Sequence, residues 1–189
     1  LSMVLLTLRS VKKEGFMNAS IVMIIASNGY QPIEYTTTKK ILEQAGFMVT
    51  VASDKTGTAI ASDKTTTQVD ITLNNIMIDH YTAVVLIGGP GALEHLDNEI
   101  VHALLKTAYQ LKKIIAAICI APRILAHAGL LKGKRITGWD GDGELAKILH
   151  SCGAIYEPRH VVIDGSIITA SGPMAAHEFG TKIVERLSL

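Results

Sequence analysis

The sequence predicts an α/β fold built on a doubly wound, mostly parallel sheet, and three observations carry that prediction. Apolar runs of strand length alternate with segments of helix length from about residue 20 to the C-terminus, the order that builds a parallel sheet covered by helices. Apolar residues make up 48% of the chain and aromatic residues only 5%, so Ala, Ile, Leu and Val must pack the core. The helical segments close at Gly46, Gly129 and Gly153, each a good residue for ending a helix. With 189 residues and no repeat, low-complexity tract or long linker, one domain over residues 17–189 is expected.

In chain order, Ile21–Ile25 reads as a buried strand, Ile33–Ala45 as a helix and Phe47–Ala52 as the next strand. Residues 53–68 are rich in Ser, Thr, Asp, Lys and Gly and read as a loop or peripheral hairpin, with Val69–Leu73 following. Ala83–Ile87 is another core strand, broken by Gly88-Gly89-Pro90-Gly91, and residues 98–111 form a helix. Lys113–Ile118 is a central strand that runs into Cys119, and Pro122–Ala128 is a helix. Arg135–Thr137 is a short strand and Glu144–Cys152 a helix. Val161–Ile163 and Ile167–Ala170 flank Asp164-Gly165, a strong hairpin signal. Residues 174–187 make the last helix.

Residues 1–16 differ from the rest. Leu1–Leu8 is apolar and is followed by Arg9, Lys12, Lys13 and Glu14. The stretch is too short for a transmembrane helix and lacks the basic leader and cleavage site of a signal peptide. It reads as an upstream extension, with Met17 the usual start. A net charge of +1 favours neither nucleic acid nor an anionic membrane as partner. Two Cys are too few for a disulfide framework, and a cytoplasmic setting is expected.

The most informative segment is Ala116-Ala117-Ile118-Cys119-Ile120-Ala121-Pro122. Pro122 suits the first turn of a helix, so Cys119 sits at a strand-to-helix elbow flanked by small residues, the geometry that exposes a nucleophile. A helix N-terminus favours the thiolate, which is the reactive form. Most cysteines in apolar runs are inert filler; the elbow argues otherwise. Two more segments end core strands with unusual residues: Asn28-Gly29-Tyr30-Gln31-Pro32-Ile33-Glu34 and Gly88-Gly89-Pro90-Gly91. Ligand sites in parallel sheets lie beyond the carboxyl ends of strands, where all three segments can converge. Gly88-Gly89 can expose N–H groups for an oxyanion or anion, although such a turn usually means only tight backbone. Glu34, in a first helical turn, either offsets the helix dipole or faces Cys119 as a protonated carboxyl that tunes the thiol. The glycine spacing matches neither a dinucleotide nor a P-loop pattern, and His and Cys nowhere adopt metal-site spacing. No cofactor and no metal are expected.

These segments, together with Asp164-Gly165 and Thr169-Ala170-Ser171-Gly172-Pro173, resemble the ThiJ/PfpI superfamily from about Ser20 to the C-terminus. That superfamily includes Parkinson-associated deglycase-like proteins and PfpI-type intracellular peptidases. The resemblance implies a flavodoxin-like three-layer sandwich with a mostly parallel central sheet and a nucleophile elbow, related to class I glutamine amidotransferases. It implies Cys119 as nucleophile, Glu34 as its carboxylic partner, and the N–H groups of Gly89 and Ile120, beside Gly88, as oxyanion donors. It also implies a homodimer or larger homo-oligomer.

The chain departs from the family at three places. PfpI-type peptidases place His directly after the nucleophile, where this chain has Ile120. The Parkinson-associated branch has a His after the next strand, where this chain reads Thr137-Gly138-Trp139-Asp140, and an Arg before the final Gly-Pro, where it has Ser171. His177, Asp140 and Trp139 are the possible accessory residues; a surface His and a solvated Gly-rich turn are their bland readings. The expected function is a Cys-dependent hydrolase, lyase or deglycase acting on a small carbonyl or amide substrate. The alternatives are a redox-responsive stress protein or chaperone, in which Cys119 is oxidised, a binding module without chemistry, and a PfpI-type peptidase, which Ile120 disfavours.

Overall fold

The structure, a computed structural model, describes residues 19–189; the expected extension at residues 1–16 lies outside them. In chain order the elements are β1 (Ser20–Ile24), β2 (Asn28–Tyr30), α1 (Pro32–Gln44), β3 (Met48–Ser53), β4 (Gly57–Ala61), β5 (Thr66–Val69), β6 (Ile71–Thr72) and β7 (Ala83–Leu86). They continue with α2 (Ala92–Leu96), α3 (Glu99–Gln110), β8 (Ile114–Ile118), α4 (Pro122–His127), β9 (Arg135–Ile136) and α5 (Leu145–Ser151). The last are β10 (Ile155–Tyr156), β11 (Val161–Asp164), β12 (Ile167–Ala170) and α6 (Ala176–Leu187).

The main sheet has the order β11-β12-β8-β7-β1-β3-β6. Only the β11–β12 hairpin is antiparallel; β12, β8, β7, β1, β3 and β6 run parallel. Val22, Met23 and Ile24 of β1, all of β7, and Ile115–Ile118 of β8 are fully buried. Strands buried on both faces need helices on both. One group is α1 packed on α6 and the other is α3, α4 and α5. This mixed α/β layering is the flavodoxin-like arrangement expected. The chain adds β3 and β6 on one side of β1, then crosses to place β7 and β8 on the other. The strand order therefore reverses between β1 and β7, where an open parallel sheet forms its ligand crevice.

The expected peripheral hairpin is β4–β5, which runs from Gly57 to Val69, and β2 joins its edge. Three elements have no counterpart in the sequence reading, among them the two-residue β10, which forms only by pairing with β9. The five-residue α2 is too short to show periodicity, and β2 exists only because Asn28 and Tyr30 pair with β4. The last helix starts at Ala176, after a 3-10 turn over Pro173–Ala175. Phe179 on α6 is fully buried. Phe179→Ala should cost about 3–5 kcal/mol, read as a lower urea midpoint with unchanged slope; a midpoint near wild type would show that α6 is not part of the core.

Candidate active site

Three segments leave the carboxyl ends of β1, β7 and β8 and meet around Cys119. The first carries Glu34. Gln31 caps α1, its side-chain oxygen accepting from the N–H groups of Ile33 at 2.6 Å and Glu34 at 3.2 Å. Pro32 occupies the first helical position, where no N–H is needed. Glu34 is thus in the first turn, but it does not reach back to the cap. Its side chain is fully buried, and Oε2 accepts from the Gly88 N–H at 3.0 Å. The dipole-offsetting reading of Glu34 therefore gives way to a carboxyl aimed into the sheet.

The second segment is Gly88-Gly89. Gly88 also accepts at its carbonyl from the Gln31 N–H at 2.9 Å, tying β7 to the start of α1. A Cβ on Gly88 would lie 2.6 Å from the Cys119 Cβ and 2.9 Å from Glu34 Oε2. Cys119 and Glu34 therefore press on the same Cα.

The third segment is the elbow. Cys119 has φ +64°, a left-handed conformation that strains a residue with a Cβ. Two hydrogen bonds hold it there: its N–H donates to Ala170 of β12 at 2.9 Å, and its carbonyl accepts from the Trp139 N–H at 2.7 Å. Among the described residues the N–H groups of Ile120 and Gly89 donate to no backbone carbonyl; both donate toward the Cys119 thiol. Two backbone donors converging on a nucleophile have the arrangement of an oxyanion hole.

The charge state corrects the sequence reading. The expected drop of the thiol toward thiolate does not occur. Burial first, then the charge and hydrogen bond of Glu34, push Cys119 up to about 12, against the N–H groups of Ile120 and Gly89. Helix α4 has only six residues, so its end contributes little field. Glu34 is also raised. Burial lifts its carboxyl from 4.5 to about 7, against hydrogen bonds from Cys119 and Gly88. Between these values Glu34 carries the negative charge and Cys119 keeps its proton.

A cleft of about 240 Å³ opens onto the thiol, lined by Gln31, Gly89, Pro90, Cys119, Ile120 and Trp139. Cys119, Gly89, Ile120 and Trp139 thus share one cavity, with Gly88 and Glu34 beneath it. Asp140 is not part of it: Oδ1 accepts from the Leu145 N–H at 2.7 Å and caps α5. His177 is exposed on α6 and does not line the cleft. Among the described residues, no group of three or more His, Cys, Asp or Glu is placed to hold a metal ion, and no helix is long and apolar enough to cross a membrane.

One contributor escaped the sequence reading. Arg123, in the first turn of α4, is 4% exposed. It donates to both oxygens of Asp142, at 3.0 and 2.5 Å, and to the Trp139 carbonyl at 3.3 Å. The available signal was a lone cation among Pro122, Ile124 and Leu125, because a buried Arg requires a carboxylate partner.

Known proteins resemble this chain along most of its length. A model of the DJ-1/PfpI family matches residues 19–186. An uncharacterized protein of Methanocaldococcus jannaschii is 35% identical over 177 residues, covering 93% of this chain and 86% of that one. Protein dj-1beta of Drosophila melanogaster is 32% identical over 174 residues, 91% of each chain. Its crystal structure matches with a TM-score of 0.82 over 90% of this chain and 91% of that one. A Pyrococcus abyssi protein named as a deglycase is 28% identical over 152 residues, 80% of this chain and 90% of that one.

Proposed function

The chain belongs to the DJ-1/PfpI family, and from that premise we propose that it is an enzyme that adds the Cys119 thiol to small carbonyl compounds, as a hydrolase, lyase or deglycase. The observation that carries this reading is the strained Cys119, φ +64°, with a buried carboxyl beside it that titrates near 7. A base of that pKa is matched to neutral pH. In the first step the Cys119 sulfur bonds to the carbonyl carbon and its proton passes to the Glu34 carboxylate. The carbonyl π pair becomes an oxyanion, held by the N–H groups of Gly89 and Ile120. Glu34 then returns the proton to that oxygen, giving a hemithioacetal from an aldehyde, or to a leaving group. The deglycase name of the Pyrococcus relative supports chemistry on carbonyl adducts.

The raised thiol weighs against the redox-sensor alternative, because ready oxidation needs a standing thiolate. Peptide cleavage is disfavoured by Ile120 and by a cleft lined without an imidazole, since a peptide amine leaving group needs a strong proton donor. Consumption of methylglyoxal should therefore exceed peptide hydrolysis and should fall to the buffer rate in Cys119→Ala. Cys119-dependent peptide cleavage at a comparable rate would overturn the assignment.

A further inference from the structure

We infer that Trp139 is a fixed wall of the Cys119 cleft that limits the size of the carbonyl compound admitted, and that Arg123 is the positioning residue that holds it; the substrate part of this inference rests on the function proposed above. The wall belongs to a segment, residues 138–143, with glycines at 138, 141 and 143. Such a composition would ordinarily leave a loop mobile. Among the described residues, the hydrogen-bond partners of the Arg123 guanidinium lie in that segment: both Asp142 oxygens and the Trp139 carbonyl. The guanidinium carbon also sits 5.5 Å from the centre of the indole ring, within cation–π range. Displacing the loop would leave a cation that is 4% exposed without a counter-charge, a heavily disfavoured state.

Further contacts fix the segment that carries the ring. The backbone N–H of Trp139 donates to the Cys119 carbonyl at 2.7 Å, so the wall and the elbow are one hydrogen-bonded unit. Asp140 anchors the loop to α5. Gly141 folds against the ring so closely that a Cβ there would lie 2.6 Å from Cζ2. Gly138 lets the backbone pass the elbow, since its Cβ would lie 3.0 Å from the Cys119 carbonyl oxygen. The indole, 39% exposed, closes one side of a cavity of about 240 Å³, below the ~300–1,000 Å³ of ordinary ligand pockets. The site thus favours short aliphatic carbonyl compounds over bulkier aryl ones.

The test uses the rates at which iodoacetamide and N-phenylmaleimide label Cys119, read at peptide level by mass spectrometry so that Cys152 is scored apart. Dividing one rate by the other cancels any change in thiol acidity. In wild type the phenyl reagent should be strongly disfavoured. Asp142→Asn, an exposed position, should raise its relative rate roughly tenfold, the rate equivalent of one charged hydrogen bond lost. Trp139→Ala should do at least as much, and Trp139→Phe should restore discrimination. Trp139 is the only Trp in the chain, so its acrylamide quenching reports directly on the wall and should rise in Asp142→Asn. Unchanged discrimination in Trp139→Ala, or unchanged discrimination and quenching in Asp142→Asn, would overturn the inference. Neither readout needs turnover. Failure to turn over any carbonyl compound would sink the proposed enzyme and leave the wall standing.

Discussion

Glu34→Gln is expected to lower turnover of small carbonyl compounds by about 10²–10⁴-fold, the range for losing a general acid–base, while making the protein more stable at alkaline pH. The amide keeps the shape of the carboxyl, and its oxygen can still accept from Gly88, but it cannot take the Cys119 proton. The stability effect follows from the direction of the shift. The folded carboxyl binds its proton more tightly than the unfolded one, with a pKa raised from 4.5 to about 7. Below about pH 4.5 both states are protonated and the site costs nothing. As pH rises toward 7 the unfolded state ionises first, and folding loses up to roughly 3 kcal/mol. Gln lacks this penalty, so urea denaturation should show the variant ahead of wild type at pH 8 and level with it near pH 4. The wild-type rate should also climb with pH through about 7 as the base forms, and that limb should vanish in the variant. Removing the Glu34 charge lifts one of the causes holding the thiol high, so alkylation of Cys119 should persist or quicken. Turnover that survives the change would reduce Glu34 to a buried structural group.

The elbow was readable because its signals are local: a strand-length apolar run, one Cys and a Pro at the first helical position need no distant partner. The same holds for the Asp164-Gly165 hairpin. What sequence could not show depends on contacts across the fold. Asn28–Tyr30 becomes a strand only against β4. Asp140 looks like a cleft residue until α5 arrives to be capped. The charge state of Cys119 was misjudged for a related reason. Helix position argues for a low thiol pKa, but desolvation and a neighbouring carboxyl dominate, and both are properties of the assembled site. Arg123 is the clearest case, since a cation in an apolar helix announces a partner without saying which of several acids it is.

Gly88→Ala should leave a folded protein with turnover reduced at least about 10²-fold, the effect of misplacing reacting groups by about an ångström. Gly88 does not have a positive φ, so an alanine meets no backbone strain there. Its methyl group would instead be a wedge, 2.6 Å from the Cys119 Cβ, 2.8 Å from the Ile118 carbonyl oxygen and 2.9 Å from Glu34 Oε2. Only Glu34 Oε2 can move by side-chain rotation; the Ile118 carbonyl and the Cys119 Cβ are set by the backbone, so the elbow itself must shift, which separates the thiol from the Glu34 carboxyl and weakens the Gly88 N–H bond to Oε2. Overpacking with a backbone shift costs about 3 kcal/mol, the upper end of the usual range, which lowers stability and leaves the domain folded. Gly89→Ala is the contrasting variant. Gly89 has φ +117°, and an added Cβ would lie 2.4–2.7 Å from three backbone atoms of Gly29, Tyr30 and Gln31, none able to rotate away, so that protein should fail to fold. The comparison separates chemistry from architecture at adjacent positions. In Gly88→Ala, circular dichroism should stay native while turnover falls and its rise through pH 7 disappears. Native turnover with the pH limb intact would show that Cys119 and Glu34 do not act as a pair across this glycine.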